Sequence, residues 1–463
     1  MNFSTSTTTI KHALLALALL LLALTQRAYG KPIYTGHEFV VTNVNIIDVK
    51  NKLVIPHQNI HVRNRKIIAI SDYNPKHLPL DIALIEGRNG YITPGLIDMH
   101  VHMYEPAAFT IALSHGVTHV RIMNGVPAHL EWREALIDGR MIGSTVTVSS
   151  PIVSGYDDAP LHRTVHTADQ AREAANEFAE AGYDLIKVYG NLNQEALNAL
   201  VDEAHKLGMP LGKHGPHASG DMPISTLAGF QSFEHAEDIY QGPLNYQRDE
   251  ALLPPIIDDL KATGVPITPT LNIFNQLTMI SAQKQAYLDS LPEEYTSSII
   301  ALEAKRNQVA RWLKASEAMV KHNQTTLAFL LTITQKLHEA AIPLLVGSDS
   351  GVLLSPHGLA THKEMQLLEK AGLSRFEVLE AATVNPAKAL GMDRHIGQVT
   401  EGYNADFIYS RGNPLEDLNV LVNPDAVVKR GRWFDASQLT ERRNMAIENR
   451  SFWGELGTLI EAY

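Results

Sequence analysis

Short apolar runs alternate with amphipathic segments between residues 94 and 395, and this alternation constrains the fold more than any other feature. Asp184–Tyr189 has the composition of a buried strand, and apolar residues recur at helical spacing in residues 193–207. Two helix starts are marked by capping boxes, Thr167 with Gln170 and Ser374 with Glu377. Strands that alternate with helices over about 300 residues predict a parallel sheet closed into a barrel. A doubly wound open sheet is the alternative.

Other parts of the chain follow different patterns. Residues 39–71 alternate in short β-branched runs, which predicts antiparallel hairpins, and residues 405–409 and 426–434 return to that style. Residues 272–339 read as mostly helical. Two placements stay open for this stretch, an insertion over the barrel mouth or ordinary helices on the outside. The last 28 residues, 436–463, read as a helix or tail.

The first 30 residues have the features of a secretory signal. Lys11 precedes an apolar run of 12 residues, Ala13–Leu24, and Ala28-Tyr29-Gly30 supplies small residues for cleavage. Such a run spans about 18 Å, less than the roughly 30 Å of a hydrocarbon core. An uncleaved anchor is the alternative. We therefore expect an exported protein, periplasmic or secreted, with no stable membrane insertion after signal cleavage.

Composition excludes several kinds of chemistry. The chain has no cysteine, which rules out a thiol nucleophile, a thiolate zinc site and disulfides. A net charge of -11 without a basic run argues against a nucleic-acid partner. Any metal must therefore bind to His, Asp, Glu or Lys. The sequence leaves open whether the chain is a monomer or a homo-oligomer.

The pair His100 and His102 ends the apolar run at residues 91–102. Side chains alternate along a strand, so both imidazoles point the same way and can reach one ion. A pair of this kind is weak evidence alone, since many are structural. Its position strengthens it, because barrel enzymes keep their active sites at the carboxyl ends of the strands.

Lys187 lies among apolar residues in the strand at 184–189, where an unpaired ammonium is costly to bury. Carboxylation by carbon dioxide would turn the amine into an anionic carbamate that can bridge two metals. The alternative is a lysine that extends to solvent at the strand end.

Three further polar residues end successive predicted strands, namely His214, His235 and, after residues 342–348, Asp349. His217 is an alternative to His214. Imidazole with carboxylate is the ligand set of zinc or a similar divalent ion, so the set predicts a metal site at one end of the barrel.

The order of these residues resembles the amidohydrolase superfamily, in particular its imidazolonepropionase-like and prolidase-like metal-dependent hydrolases. The resemblance covers most of residues 39–435. It includes the motifs TPGLIDMHVH (93–102), AGYDLIKVY (181–189) and GVPITPTL (264–271), and the long stretch at 379–407. It implies an α/β fold, a (β/α)8 TIM-like barrel over 94–395, with a small β-sandwich domain built from both chain ends, 31–93 and 396–435. The signal peptide, 1–30, and the tail, 436–463, flank them.

The resemblance also implies roles for the matching residues. His100, His102 and Asp349 would hold one divalent metal ion, with zinc as the expected metal, and His214 and His235 the other. Carboxylated Lys187 and a hydroxide would bridge them. Asp349 would carry the proton from the attacking oxygen to the leaving nitrogen. Tyr189 shares the strand parity of Lys187 and is a candidate for binding a substrate carbonyl.

The chain departs from the family in ways that leave the substrate open. Arg121 is followed by Ile122 where prolidase-like members often have Asp, and the loop at 154–167 lacks their Gly-Gly-His turn. His162, Arg163 and His166 are weak candidates there for binding a substrate carboxylate.

We expect an exported hydrolase of a carbon–nitrogen bond in a small amide or dipeptide-like molecule, acting through a metal-bridged hydroxide. A mononuclear deaminase, or an ester or lactone hydrolase, is the alternative on the same barrel. A non-catalytic periplasmic protein that binds metal or ligand is a remote third.

Overall fold

The computed structural model describes residues 38–79, 81–157, 159, 161–216 and 223–462. The signal segment at residues 1–30 and the alternative ligand His217 lie outside these residues. Within the described ranges, no helix has the length and apolar character needed to cross a membrane.

Strands dominate both ends of the folded region, and strands alternate with helices between them. The strands are β1 (Glu38–Asp48), β2 (Leu53–Arg63), β3 (Lys66–Asp72), β4 (Ala83–Pro94), β5 (Leu96–Val101), β6 (Val117–Ile122), β7 (Thr145–Val148), β8 (Ile152–Ser154), β9 (His162–Thr164), β10 (Ile186–Val188), β11 (Leu211–Lys213), β12 (Ser232–Glu234), β13 (Ile267–Thr268), β14 (Phe407–Ser410), β15 (Ala426–Lys429) and β16 (Arg432–Asp435). The helices are α1 (Ala107–Ser114), α2 (Pro127–Asp138), α3 (Ala168–Ala181), α4 (Gln194–Leu207), α5 (Ala236–Gln241), α6 (Leu253–Thr263), α7 (Leu271–Gln283), α8 (Gln285–Leu288), α9 (Ser298–Ala304), α10 (Ala310–Leu313), α11 (Glu317–Glu339), α12 (Leu359–Lys370), α13 (Arg375–Ala382), α14 (Val384–Ala389), α15 (Ala436–Glu448) and α16 (Phe452–Ala462).

Both chain ends contribute to one seven-stranded sheet in the order β16-β15-β14-β4-β1-β2-β3. The β1–β2 and β2–β3 pairs are antiparallel, which confirms the predicted hairpins, whereas β4 returns parallel to β1. Alternate residues such as Val41, Ile60 and Phe407 form the apolar core of this unit. The two-layer sandwich stays a prediction.

The central part of the chain forms parallel strands with helices between them. Two sheets have the orders β5-β6-β7 and β13-β12-β11-β10-β8-β9. Isolated parallel bridges join residues of different sheets or strands, namely Ser149 with Leu185, Ile267 with Leu344 and Val101 with Ser350. This arrangement is a TIM-barrel-like α/β fold.

The segment before Asp349 is less regular than the sequence predicts. Its composition predicts a strand over residues 342–349, but these residues make one isolated bridge, Leu344 with Ile267, instead. The reason lies in the partners of their backbone, because Val346 N donates to Ala381 O and Ser348 N donates to the Asp98 carboxylate. These N–H groups are therefore used outside a ladder. The segment still touches β5, since Met99 N donates to Val346 O.

Local helix signals are confirmed. Thr167 and Ser374 each accept a hydrogen bond from the residue three positions later, and Gln170 and Glu377 complete the two capping boxes. Asn193 caps α4. The end of the chain is helical, in α15 and α16.

The stretch at 272–339 combines the two placements left open. Near its start, Asn272 Nδ2 donates to Ser348 O at 2.8 Å and to Ser355 Oγ at 2.9 Å, beside Asp349. Farther along, α11 packs against α7 and α12 within the helical layer. The first part thus reaches the edge of the candidate site, and the second part is an ordinary outer helix.

Candidate metal centre

His100 lies within β5 and His102 follows its last residue, so both reach the same end of the strand. Their ring centroids are 5.3 Å apart. The strand is anchored by Asp98, whose Oδ1 accepts hydrogen bonds from His100 N and Ser348 N at 3.2 and 2.9 Å. Asp98 therefore holds the first histidine against the segment that carries Asp349.

A buried ion pair orients the His100 ring. His100 Nδ1 lies 2.9 Å from Glu234 Oε2, and Glu234 Oε1 accepts from Arg121 Nη2 at 2.7 Å and from Ser232 Oγ. Arg121 Nε donates to Met99 O at 2.7 Å. Because Glu234 is a carboxylate acceptor, His100 carries its proton on Nδ1. Its Nε2 lone pair is then available on the side that faces Asp349.

Asp349 faces both histidines. Its Oδ1 is 3.0 Å from His102 Nε2 and 3.7 Å from His100 Nε2, yet it makes no hydrogen bond within the described residues. The backbone is left-handed here, with φ 53°, and Asp349 N donates to His100 O at 2.8 Å. At Gly347 a Cβ would overlap Thr268 Cγ2 and lie 2.9 Å from His100 Cβ. Gly347, two residues before Asp349, therefore permits this close approach.

His235 connects the first group of ligands to a second one. It has a left-handed φ of 67°, and its Nδ1 lies 2.7 Å from Thr270 Oγ1. Its ring centroid is 4.8 Å from that of His100 and 4.4 Å from that of His214. His214 Nε2 is 3.3 Å from Asp238 Oδ2. The ligand atoms form two groups, His100–His235–Asp349 and His214–His235–Asp238. Within each group, the atoms lie within 4.8 Å of one another.

Burial sets the protonation of these imidazoles. It lowers the pKa of His100 to about 4 and lowers the pKa values of His214 and His235 well below their ordinary value. The rings are therefore neutral at pH 7, which is the form that binds a metal ion. Burial opposes ionisation of Asp349, but the facing histidines hold the pKa of its carboxyl below the ordinary value.

Lys187 is enclosed in the middle of β10. It is 2% exposed, so the alternative of a lysine that extends to solvent is wrong. Its Nζ has no hydrogen-bond partner in the described part of the chain, and burial lowers the pKa of the ammonium to about 8. The charges of Glu234 and Asp349 both raise the pKa of this amine. The amine therefore lies near both carboxylates and faces the same centre.

The site residues fit a divalent metal ion. Lys187 Nζ, Asp349 Oδ1 and Asp238 Oδ2 are buried without a hydrogen-bond partner among the residues described. Buried polar atoms are normally paired, and neutral imidazoles with carboxylates form the donor set of zinc and similar ions. Asp349 belongs to one of the two groups of ligand atoms and Asp238 to the other, as bound cations would require.

The candidate substrate-binding residues separate into two groups. The Tyr189 ring lies over that of His214, with centroids 3.8 Å apart, and therefore borders the centre. Arg163 instead faces Glu173 and Glu177 on α3, at 3.6 and 3.5 Å. The other two loop histidines have local partners, His162 with Ser154 at 2.8 Å and His166 with Asp157 at 2.8 Å. These three loop side chains thus have partners of their own, and the His162 ring also lies 5.2 Å from that of Tyr189.

Sequence reasoning missed Glu234, Asp238 and the structural role of Arg121. Glu234 and Asp238 flank His235 in the run FEHAED, so their proximity to a predicted ligand was a usable signal. Arg121 is a cation in a fully buried strand, β6, where an unpaired charge is as costly to bury as at Lys187. A second buried lysine, Lys213, directly precedes His214, and burial lowers its pKa to about 8.

The sequence model of the amidohydrolase family matches residues 91–434 of this chain. The chain therefore belongs to the amidohydrolase family, and the enzyme class expected from the sequence, a hydrolase of carbon–nitrogen bonds, agrees with that membership.

Individual relatives are more distant. An ochratoxinase from Aspergillus niger is 35% identical over 113 residues, which span 24% of this chain and 23% of that enzyme. An imidazolonepropionase from Shewanella frigidimarina is 25% identical over 385 residues, or 76% of this chain and 86% of the relative. The crystal structure of a Xaa-Pro dipeptidase with bound methionine superposes with a TM-score of 0.66 at 20% identity, over 86% of this chain and 100% of the other. That structural similarity supports the fold.

Proposed function

We propose that this chain is a metal-dependent hydrolase that cleaves a carbon–nitrogen bond in a small amide or dipeptide-like molecule. The observation that carries the proposal is the set of ligand atoms of His100, His235 and Asp349, all within 4.8 Å of one another, beside the unpartnered amine of Lys187. The imidazolonepropionase and dipeptidase relatives support a small substrate of this kind.

Two divalent ions would be held as the family resemblance implies. His100, His102 and Asp349 would hold one ion, and His214 and His235 the other. Lys187 would bridge them as a carbamate, which forms when its neutral amine adds to carbon dioxide and releases a proton. A pKa of about 8 leaves part of the amine neutral at pH 7, which favours this reaction. When bound, such ions activate water and polarise a carbonyl group.

The chain's own residues would move the protons. Asp349 Oδ1 has no hydrogen-bond partner in the described residues, so it is free to take a proton from the attacking water and deliver it to the leaving nitrogen. Burial raises the pKa of Tyr189 well above its ordinary value, so its hydroxyl stays protonated and can donate to the substrate carbonyl. The proposal therefore assigns Asp349 the proton transfer and Tyr189 the carbonyl.

The proposal extends to the fold and to cellular location. We infer that the parallel strands close into an eight-stranded barrel through the bridges at Ser149, Ile267 and Val101. We also propose that the segment at 1–30 directs export to the periplasm or medium. Mass spectrometry of the mature protein would test export, since an N-terminus that starts at Met1 would contradict cleavage.

The first experiment measures metal content per chain by elemental mass spectrometry, together with amide hydrolysis. We expect close to two ions in the parent, with fewer ions and lost activity in K187A, because the bridging ligand is gone. D349N should lose the proton acceptor and its activity. K336A is a matched control, since Lys336 forms an exposed pair with Glu339. Unchanged activity in both K187A and D349N would contradict the proposal.

A mononuclear enzyme is the second candidate, because His100, His235 and Asp349 form one three-ligand group by themselves. One ion in both parent and K187A would favour it and would make Lys187 a structural residue. A substrate panel scored for ammonia against acid release would then separate a deaminase from an ester or lactone hydrolase. Tight amide binding with no turnover across the panel would instead indicate a binding protein.

A further inference from the structure

The segment that follows the family match contacts the loop that comes after the candidate ligand His102. The match ends at residue 434, and α15 and α16 lie beyond it. Arg450 is located between these two helices and reaches Glu105, which comes three residues after His102. A residue near the end of the chain thus contacts the loop between β5 and α1.

The contact is a buried, two-pronged ion pair. Arg450 Nη2 donates to Glu105 Oε1 at 2.9 Å, and Arg450 Nε donates to Oε2 at 2.5 Å. The Glu105 side chain is 2% exposed and that of Arg450 is 15% exposed. Burial raises the pKa of Glu105, and the Arg450 charge opposes this effect. Without Arg450 the loop would have to bury an uncompensated carboxylate or move to expose it.

The same guanidinium connects a third segment. Arg450 Nη1 donates to Glu294 O at 2.5 Å, in the stretch that follows α8. An apolar cluster lies alongside, in which Ala446 and Ile447 of α15 pack on Ile111 of α1 and on Tyr295. The C-terminal segment therefore joins the loop after His102 to the stretch at 272–339.

The two histidines of the HxH motif are fixed in different ways. Glu234 orients the His100 ring directly. His102 lies after the last residue of β5, and its side chain is 15% exposed, compared with 2% for His100. Its backbone is held on one side by Ser350 O, at 2.8 Å from His102 N. On its other side it continues into the loop that contains Glu105. This loop is anchored at Met103, whose carbonyl oxygen lies 2.6 Å from His129 Nε2, and again at Glu105, so the location of His102 depends on both anchors.

We propose that Arg450 is a positioning residue, and that the C-terminal segment holds the loop after β5 so that His102 stays in place as a metal ligand. This inference rests on the proposed function. It concerns geometry and predicts no contact between Arg450 and substrate.

The test compares zinc release from full-length parent, R450Q and R450K into excess chelator. Hydrogen exchange of the amides of residues 103–105 and separate kcat and KM values are measured on the same proteins. We expect release about tenfold faster in R450Q, with faster exchange in the loop, because the orienting contact is lost. R450K keeps the charge and should recover part of the effect. R172Q removes an exposed pair with Asp169 and should match the parent.

A folding defect is separated from a positioning role by E105Q/R450Q, which removes both buried charges together. This variant should fold and still release zinc faster than the parent. Release at the parent rate in folded R450Q, or in E105Q/R450Q if R450Q does not fold, would overturn the inference while leaving the proposed function intact. A parent that binds no zinc or other divalent ion would overturn the proposed function itself.

Discussion

At the scale of single residues, Glu234 connects the candidate ligand His100 to two other buried side chains. Its two carboxylate oxygens serve His100 on one side and Arg121 with Ser232 on the other. Burial favours the neutral acid, but the charge of Arg121 and the hydrogen bond to His100 keep the pKa of Glu234 below its ordinary value. The carboxylate therefore stays ionised and fixes which nitrogen of His100 is free for a metal ion.

Replacing Glu234 by Gln should weaken metal binding about ten- to hundredfold, because the amide no longer fixes the His100 tautomer and leaves Arg121 uncompensated. Competition with a chelator, followed by elemental analysis, measures the affinity. E339Q is a suitable control, since Glu339 pairs with Lys336 on the surface. Parent-like metal affinity in folded E234Q would show that Glu234 serves the fold alone.

The sequence predicts ligand candidates better than it predicts their partners. His100, His214 and His235 are candidates because each is polar at or next to a strand end, and Lys187 is a candidate because it is a cation among apolar residues. Glu234 was missed because its role depends on Arg121, which is 113 residues away in the sequence. A single sequence does not show which residues are close in space across such a gap. The visible signal was a charged residue within an apolar run.

At the scale of elements, the start of α2 depends on a neutral histidine. Val126 N donates to His129 Nδ1 at 3.0 Å, and His129 Nε2 lies 2.6 Å from Met103 O. Nδ1 must therefore be unprotonated and Nε2 must carry the proton. Burial lowers the pKa of His129 to about 4, in line with this arrangement.

This arrangement predicts a pH dependence. Because the folded pKa lies below the unfolded value of 6.5, the contribution of His129 to stability is complete above pH 6.5. It is lost as the pH falls from 6.5 toward 4, by about 1.4 kcal/mol per pH unit. Urea unfolding at several pH values should show that H129Q is less stable than the parent at pH 7, and that the difference narrows on acidification. A difference that stays constant with pH would contradict the assignment.

Elements with local signals were predicted well, and elements fixed by distant partners were not. The capping boxes of α3 and α13 lie within four residues of sequence, so both are readable. The segment at 342–349 has a strand-like composition, yet its N–H groups go to the Asp98 side chain and to Ala381 O. Those acceptors come from other parts of the fold, which composition does not reveal.

At the scale of the whole molecule, the seven-stranded sheet and the parallel-stranded part are connected closely. Only Gly95 separates β4 from β5, which leaves no linker between the two units. Ile47 and Ile408 of the sheet belong to the same apolar cluster as Phe109 and Leu136. Core residues are therefore shared across the boundary that the sequence places near residue 94.

A buried ion pair lies at this junction. Lys429 Nζ of β15 donates to Asp406 Oδ2 at 2.8 Å and to Thr145 Oγ1 of β7 at 3.1 Å. Lys429 is 1% exposed. Its removal leaves the Asp406 carboxylate buried without its cation, which costs about 3–5 kcal/mol in comparable pairs.

We therefore expect one cooperative unfolding transition for the described part of the chain, and K429M should lower its midpoint without splitting it. If the seven-stranded sheet were an independent folding unit, it would unfold first in K429M. The reason is that Lys429 lies in this sheet and its replacement removes the ion pair at the junction. Calorimetry, compared with near-ultraviolet circular dichroism and tryptophan fluorescence, distinguishes these outcomes, since a single transition gives coincident curves. D406N/K429M should recover part of the loss, because it removes both charges. Two resolved transitions would show that both chain ends form an independent folding unit, despite the apolar cluster that they share with the rest of the molecule.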